Sequence, residues 1–339
     1  MRDIQLDNYR GLAMMYIILC HTSYWMGDMQ EPYQSFLLFA MAMVFFISGA
    51  SLSLGSSRRG LLPVIVGRVK RVVIPFYIYA LVIIVLSVLA GWLLGDTSRF
   101  GVRPFHLLDY RWRDVVNILL CQDVPQIPNN AHLWFLTPYL LLSSTFPLQQ
   151  RLIEKCPRPV YMVACIALFL LAQAFTQSEL VRELLCYNIF MVGGYLYYRR
   201  DKEIVTALVG LAAGAAIVGY VLLGGHFSPI QGHKFPPDWI FAFYGVFAVC
   251  MLSLVFRRVT IPSNRFLRLW NTRGYTIYLY QSLVFIIVAI IRQYTYGRIA
   301  NSWVWLVCDF IIAIVLSTLL SYVTYPLERK VLSKIRDKR

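Results

Sequence analysis

The sequence predicts an all-α, polytopic integral membrane protein of about ten transmembrane helices with both termini in the cytoplasm, on three observations. Apolar residues fill 58% of the 339 positions and charged residues only 14%, where soluble domains carry ~25%. Runs able to cross a ~30 Å hydrocarbon layer recur along the whole chain, with no soluble-looking block between them. Spans are read at 9–27, 33–55, 72–95, 132–149, 159–176, 183–198, 204–224, 238–256, 275–291 and 303–325. On that reading, 24 of the 32 Lys and Arg residues lie on the side of both termini and 8 on the other. Such a bias places the richer side in the cytoplasm. It also accounts for the net charge of +15 without a nucleic-acid partner.

The first span carries the most informative pattern. Arg10 and His21 are eleven residues apart, about 1100° of helical turn, so both lie on one face. They are separated by ~16 Å of rise, near half of the hydrocarbon layer. Asp7, three residues before Arg10, can pair with it. With Arg10 at the cytoplasmic edge, His21 falls close to the bilayer midplane, where an ionisable group is expensive and reads as functional by default. The plainer reading is a buried histidine bonded to a neighbouring helix. Gly27-Asp28-Met29-Gln30 offers no signal-peptidase site, so the first span is expected to remain as an anchor. Seven cysteines without a C-x-x-C pair suggest neither a disulfide framework nor a zinc site.

The second span ends in Phe45-Phe46-Ile47-Ser48-Gly49-Ala50. Its small residues let another helix, or a ligand, approach the backbone closely. A cytoplasmic loop is expected from Gly55 to Arg71, with Arg68 and Arg71 at i, i+3, able to face one anionic group. A guanidinium fork suits phosphate oxygens better than an ammonium does; simple anchoring at the cytoplasmic face is the alternative. Residues 96–131 form the longest external stretch, with an amphipathic segment near Arg111 to Leu120 and breaks at Pro125 and Pro128. The fourth span opens with His132-Leu133-Trp134, where Trp134 is a natural interfacial residue and His132 is either a ligand at the entrance or a polar helix end.

Spans five to seven carry little chemistry. Gly193-Gly194 and the Gly/Ala-rich run 210–216 suggest tight packing, and Arg199 to Lys202 form a cytoplasmic loop. The next external loop holds His233 and Lys234 before Pro236, Pro237 and Asp238. The prolines and Asp238 suit a helix start, whereas His233 and Lys234 could bind a polar acceptor. The ninth span opens at Arg273 and reaches Gln281; the tenth carries Asp309, an intramembrane acid without an evident partner. No Gly-rich phosphate loop, nucleophile elbow or carboxylate pair at metal-ligand spacing is found, which directs any chemistry to His21 and the arginines.

In order along the chain, Arg10 with His21 after Asp7, Phe45-Phe46-Ile47-Ser48-Gly49, Arg68-x-x-Arg71 before Pro75, His132-Leu133-Trp134-Phe135-Leu136 and Lys234-Phe235-Pro236-Pro237 resemble the membrane-bound acyltransferase 3 family over essentially the whole chain, a single domain over 1–339. The resemblance implies transfer of an acyl group, usually acetyl from cytoplasmic acetyl-CoA, to a hydroxyl of a glycan or lipid-linked saccharide at the outer face of a bacterial cytoplasmic membrane. Arg10 and His21 match the family's first-helix pair, and Arg68 and Arg71 its arginine pair. Donor binding would then draw on Arg68, Arg71, Ser48 and Gly49, and acceptor binding on His132, Trp134, His233, Lys234 and Asp309. Where many members carry histidine at the end of the ninth span, this chain has Gln281, so no acid–base role carries over there. The chain also stops after the tenth span, without the extracellular hydrolase-like domain that some members append.

The residues permit the same chemistry. Basic groups at the cytoplasmic mouth would hold the nucleotide while the slender pantetheine arm reaches inward. His21 would act as general base on the acceptor hydroxyl or accept the acetyl group itself, and Arg10 would offset developing negative charge. No metal is expected; membrane lipids are the surroundings, and a homo-oligomer stays open. A transporter of a polar or lipid-linked substrate is the rival reading, for which inverted repeats and matching broken helices would be needed.

Overall fold

The computed structural model describes residues 3–27, 29–55, 60–94, 111–121, 130–198, 203–295 and 302–337, and among them it is helical without strands. The helices are α1 (Ile4–Trp25), α2 (Ala40–Ser53), α3 (Leu61–Arg68), α4 (Ile74–Leu94), α5 (Trp112–Leu119), α6 (Leu136–Ile153), α7 (Arg158–Phe175), α8 (Glu179–Tyr197), α9 (Glu203–Leu222), α10 (Gln231–Lys234), α11 (Trp239–Arg258), α12 (Arg265–Thr295) and α13 (Ser302–Asp337). Seven helical segments among the described residues are long and apolar enough to cross a membrane: Ser35–Ser53, Leu61–Leu89, Arg158–Phe175, Glu203–Leu222, Trp239–Arg258, Arg265–Arg292 and Ser302–Ser333. Helices α1, α6 and α8 cover the other three expected spans but hold more polar residues, such as Asp7, Arg10 and His21 in α1 and Glu183 and Asn188 in α8.

Two boundaries differ from expectation. The stretch expected as a loop through Arg71 is helical from Leu61, and α3 joins α4 through a π-helical turn at Val69–Val73. Five apolar residues among the first six of α3 give that segment reason to be helical. At the other end, α13 continues as helix past the tenth span to Asp337. The amphipathic segment forms α5; most of the expected external stretch 96–131, and the loop from Arg199 to Lys202, lie outside the described residues.

The chain divides into two compact units. The first comprises Met1–Cys20, Met29–Arg59 and Thr145–Asn271; the second comprises His21–Asp28, Gly60–Ser144 and Thr272–Arg339. Within the first, α2 and α8 approach most intimately. A Cβ on Gly49 would lie 1.8 Å from the Met191 carbonyl oxygen, and one on Gly194 would lie 1.9 Å from that of Phe46. The two glycines therefore hold the backbones together from opposite sides, the small-residue contact by which helices associate without a hydrophobic driving force. Phe45 stacks on Tyr187 beside this contact, at 4.7 Å between ring centroids. At one end, Leu6, Tyr9, Ala13, Ile47 and Ala50 form a buried cluster, and the Tyr9 hydroxyl donates to the Phe256 carbonyl at 2.8 Å.

Within the second unit, α12 braces α4. The Tyr275 hydroxyl donates to the Val72 carbonyl inside the π-turn at 2.9 Å, and Tyr79 and Ser282 hydroxyls bond at 3.0 Å. The tyrosine thus anchors α12 to the irregular turn.

Gly49→Leu should lower the thermal midpoint of the purified protein substantially, since overpacking typically costs about 1–3 kcal/mol and backbone cannot move aside as a side chain can. Gly193→Ala should be near neutral, because its Cβ would meet the Met162 Cε at 3.6 Å and the Phe46 Cδ2 at 4.0 Å, both ordinary contacts. Equal midpoints for the two variants in a thermal-shift measurement would contradict the α2–α8 contact.

Candidate active site

His21 lies in the last two turns of α1, half-buried, in the second unit. Its ring stacks on Trp25 one turn later, at 4.3 Å between centroids and 6° between planes. The spacing i, i+4 puts the two rings one above the other. Nδ1 lies 2.8 Å from the Gln281 Oε1. With Nδ1 protonated, the ring donates to that amide oxygen, and in the neutral ring Nε2 then bears the lone pair. His132 closes the arrangement: it is buried, with its ring 6.3 Å from His21, 5.8 Å from Trp25 and 5.1 Å from Tyr278. The Tyr278 hydroxyl donates to the His132 carbonyl and so ties the 3₁₀ turn Asn130–Phe135 to α12.

The structure thus brings His21 and His132 together and adds a residue that the sequence did not single out for this task. Gln281 cannot move a proton, yet its amide oxygen lies within hydrogen-bond distance of His21 Nδ1. The nearest signal is its place at the end of the Tyr275-Thr276-Ile277-Tyr278-Leu279-Tyr280 run, where it is buried together with Thr276 and Ser282.

Arg10 belongs to the first unit and is 40% exposed. It pairs with Asp7 as expected, Nη1 to Oδ1 at 3.1 Å. The same Nη1 reaches the Asn271 Oδ1 at 3.1 Å, and Nη2 donates to the Ser51 hydroxyl at 2.6 Å. Gly11 makes the Asn271 contact feasible. A Cβ there would stand 3.0 Å from the Leu267 carbonyl oxygen, so the start of α12 comes close enough to α1 for a short side chain to reach. The guanidinium is held from three helices, with one carboxylate among its partners.

Arg68 and Arg71 do not share surroundings. Arg68 is half-buried, with Nη1 3.3 Å from the Tyr139 hydroxyl and its guanidinium carbon 5.8 Å from that ring's centroid. Arg71 is exposed and donates from Nε to the Gly67 carbonyl at 3.3 Å. The π-turn between them adds residues per turn, so spacing i, i+3 no longer sets one face as it does on an α-helix. Gly49 is occupied by α8, as described, and Ser48 beside it is half-buried.

In the first unit, both His233 nitrogens meet acceptors: Nδ1 lies 2.6 Å from the Asp238 Oδ2 and Nε2 lies 2.8 Å from the His226 carbonyl. The other Asp238 oxygen caps α11, accepting from the Ile240 and Phe241 amides at 2.9 and 3.1 Å. His233 therefore clamps a loop to a helix cap. Lys234 rests its ammonium 4.8 Å from the Phe235 ring. Desolvation pushes it down to about 8, against the pull of Cys20 and Glu183. Asp309 has its partner in the second unit: Arg292 Nη1 lies 3.4 Å from its Oδ2 and also donates to the Met26 carbonyl at 2.9 Å. Trp134 is half-buried, edge-on to Phe135 at 6.5 Å.

A family model described as an acyltransferase domain matches residues 3–324. The chain belongs to acyltransferase family 3. No curated protein and no solved structure matched it. The match spans nearly every element above, so this is a membrane acyltransferase whose family domain includes both the Arg10 and the His21 clusters. His21 and Gln281 form a hydrogen-bonded pair inside that domain.

Gln281→Leu should therefore lower kcat by about 10–100-fold, the range seen when the partner that orients a functional histidine is removed, with KM for the donor changed less than about twofold. Steady-state kinetics of the purified enzyme decide it. A kcat within about a factor of two of wild type would leave Gln281 without a positioning role.

Proposed function

We propose that this acyltransferase carries an acetyl group from acetyl-CoA on the cytoplasmic side to a hydroxyl of a glycan or lipid-linked sugar at the outer face of a bacterial cytoplasmic membrane. The observation that carries the reading is the His21–Gln281 hydrogen bond, which leaves a basic nitrogen half-buried on an apolar helix. In the proposed step, His21 Nε2 takes the acceptor hydroxyl proton as the oxygen bonds to the thioester carbonyl carbon. The carbon–sulfur bond then breaks, and the proton passes to the departing thiolate. No other reactant is consumed.

Arg68 and Arg71 are proposed to hold phosphates of the donor: one is half-buried against Tyr139 and the other exposed, a pairing that suits a ligand with several anionic groups. Arg10 is proposed to balance negative charge on the donor side of α1. The ten-span arrangement with cytoplasmic termini is part of the same reading, and the 24 basic residues on one side against 8 on the other support it. His132 and Trp134 are proposed as acceptor contacts, His132 by its nearness to His21 and Trp134 from the adjoining turn. Lys234, Asp309 and His233 support acceptor binding more indirectly, since the latter two already hold Arg292 and the α11 cap.

His21→Ala should abolish acyl transfer while the protein inserts and folds. Loss of a general base costs about 10²–10⁴-fold, and the measurement is release of free CoA thiol from acetyl-CoA in the presence of acceptor. Retention of more than about a tenth of wild-type activity would remove His21 from the reaction.

A further inference from the structure

The second unit contains a polar seam that none of the chemistry above uses. On α13, Ser317, Ser321, Thr324 and Glu328 recur at i, i+4, i+7 and i+11, one face of a helix. On α12, Arg273, Thr276 and Tyr280 recur at i, i+3 and i+7. All but Arg273 are buried, with Glu328 only 3% exposed. Contacts join the two rows: the Thr276 hydroxyl donates to the Glu328 Oε2 at 2.7 Å, and Arg273 Nη1 reaches the Ser321 hydroxyl at 3.4 Å.

Some of these groups are satisfied within their own helix. Ser321 donates to the Thr318 carbonyl and Thr324 to the Leu320 carbonyl. Others are not. Glu328 Oε1, the Tyr280 hydroxyl and the Ser317 hydroxyl are buried with no hydrogen-bond partner among the described residues. Leaving such atoms dry is costly, and more so in a helix bundle surrounded by lipid. Ser317 and Glu328 are three turns apart, ~16 Å, a span for an extended chain rather than for one water molecule.

The order of groups along the seam narrows the class of ligand. At the Arg273 end the guanidinium lies over Tyr322 and Tyr325, 4.2 and 5.3 Å from their centroids, and Arg329 approaches Tyr325 at 5.9 Å. Cations therefore gather at one end, and Tyr280 and Ser317 offer uncharged hydrogen-bonding oxygens further along. Tyr280 immediately precedes Gln281, the residue that holds His21. A ligand with an anionic head and a slender tail bearing amides fits this order: its amide N–H would donate to Glu328 Oε1, and its carbonyls would accept from the hydroxyls.

The geometry points to this seam as the binding site for the amide-bearing arm of the acyl donor, with Glu328, Tyr280 and Ser317 as its contacts. The inference rests on the donor proposed above and deepens it by assigning residues to the arm rather than to the phosphates.

The test uses the purified full chain and two ligands, acetyl-CoA and S-acetylpantetheine, which keeps the thioester and the arm without the nucleotide. Tyr280→Phe and Glu328→Gln should each weaken both ligands by the same factor, about three- to tenfold for a lost hydrogen bond. Arg68→Gln/Arg71→Gln should weaken acetyl-CoA alone. Tyr280→Phe should also raise the thermal midpoint of the ligand-free protein, because it removes an unsatisfied buried hydroxyl; a contact with structural water would give the opposite sign. Ser317→Ala, the smallest change, repeats the affinity measurement should Glu328→Gln fold poorly. Normal acetyl-CoA binding with both affinities unchanged in Tyr280→Phe and Ser317→Ala would overturn the seam while sparing the donor. Failure of the wild type to bind either ligand would overturn the donor, and the seam with it.

Discussion

A histidine can work as a base within an apolar layer only if its other nitrogen is already committed, and the bond between His21 Nδ1 and Gln281 meets that demand. The stacked Trp25 limits tilting of the ring out of its plane, while the amide holds Nδ1. The surrounding hydroxyls have a structural sense: Tyr275 and Tyr278 pin α12 to the π-turn and to the 3₁₀ turn that carries His132, and Ser282 ties it to Tyr79 of α4.

The Arg10 cluster solves a different problem. A guanidinium beside apolar helices must have its donors engaged, and Asp7, Ser51 and Asn271 engage them from three helices. Gly11 is what lets the start of α12 come near α1. Polar grip and small-residue packing thus support each other within the first unit, and substitution at a glycine would disturb the cation's setting without touching it.

Much of this was legible in the sequence, for identifiable reasons. Helical periodicity relates residues on one element, so Asp7, Arg10 and His21 could be read from spacing alone, and the Asp7–Arg10 pair is present. It says little about partners on other elements: Asp309 finds Arg292 across an inter-helix connection, and Gln281 finds His21 260 residues away. Local irregularity was hidden as well. An apolar stretch does not announce the π-turn at Val69–Val73, and that turn is what gives Arg68 and Arg71 unlike surroundings. The small residues near Gly49 allowed either a ligand or a helix to approach; the reciprocal contact with Gly194 shows a helix there.

The most direct test of the account is the protonation of His21 itself. Nitrogen-15 NMR of protein labelled at histidine, with the His21 signals assigned by their loss in His21→Ala, reports the state of each ring nitrogen at neutral pH. The account predicts a neutral ring with a protonated Nδ1 and an unprotonated Nε2. A ring protonated at Nε2, whether as the other tautomer or as imidazolium, would contradict it.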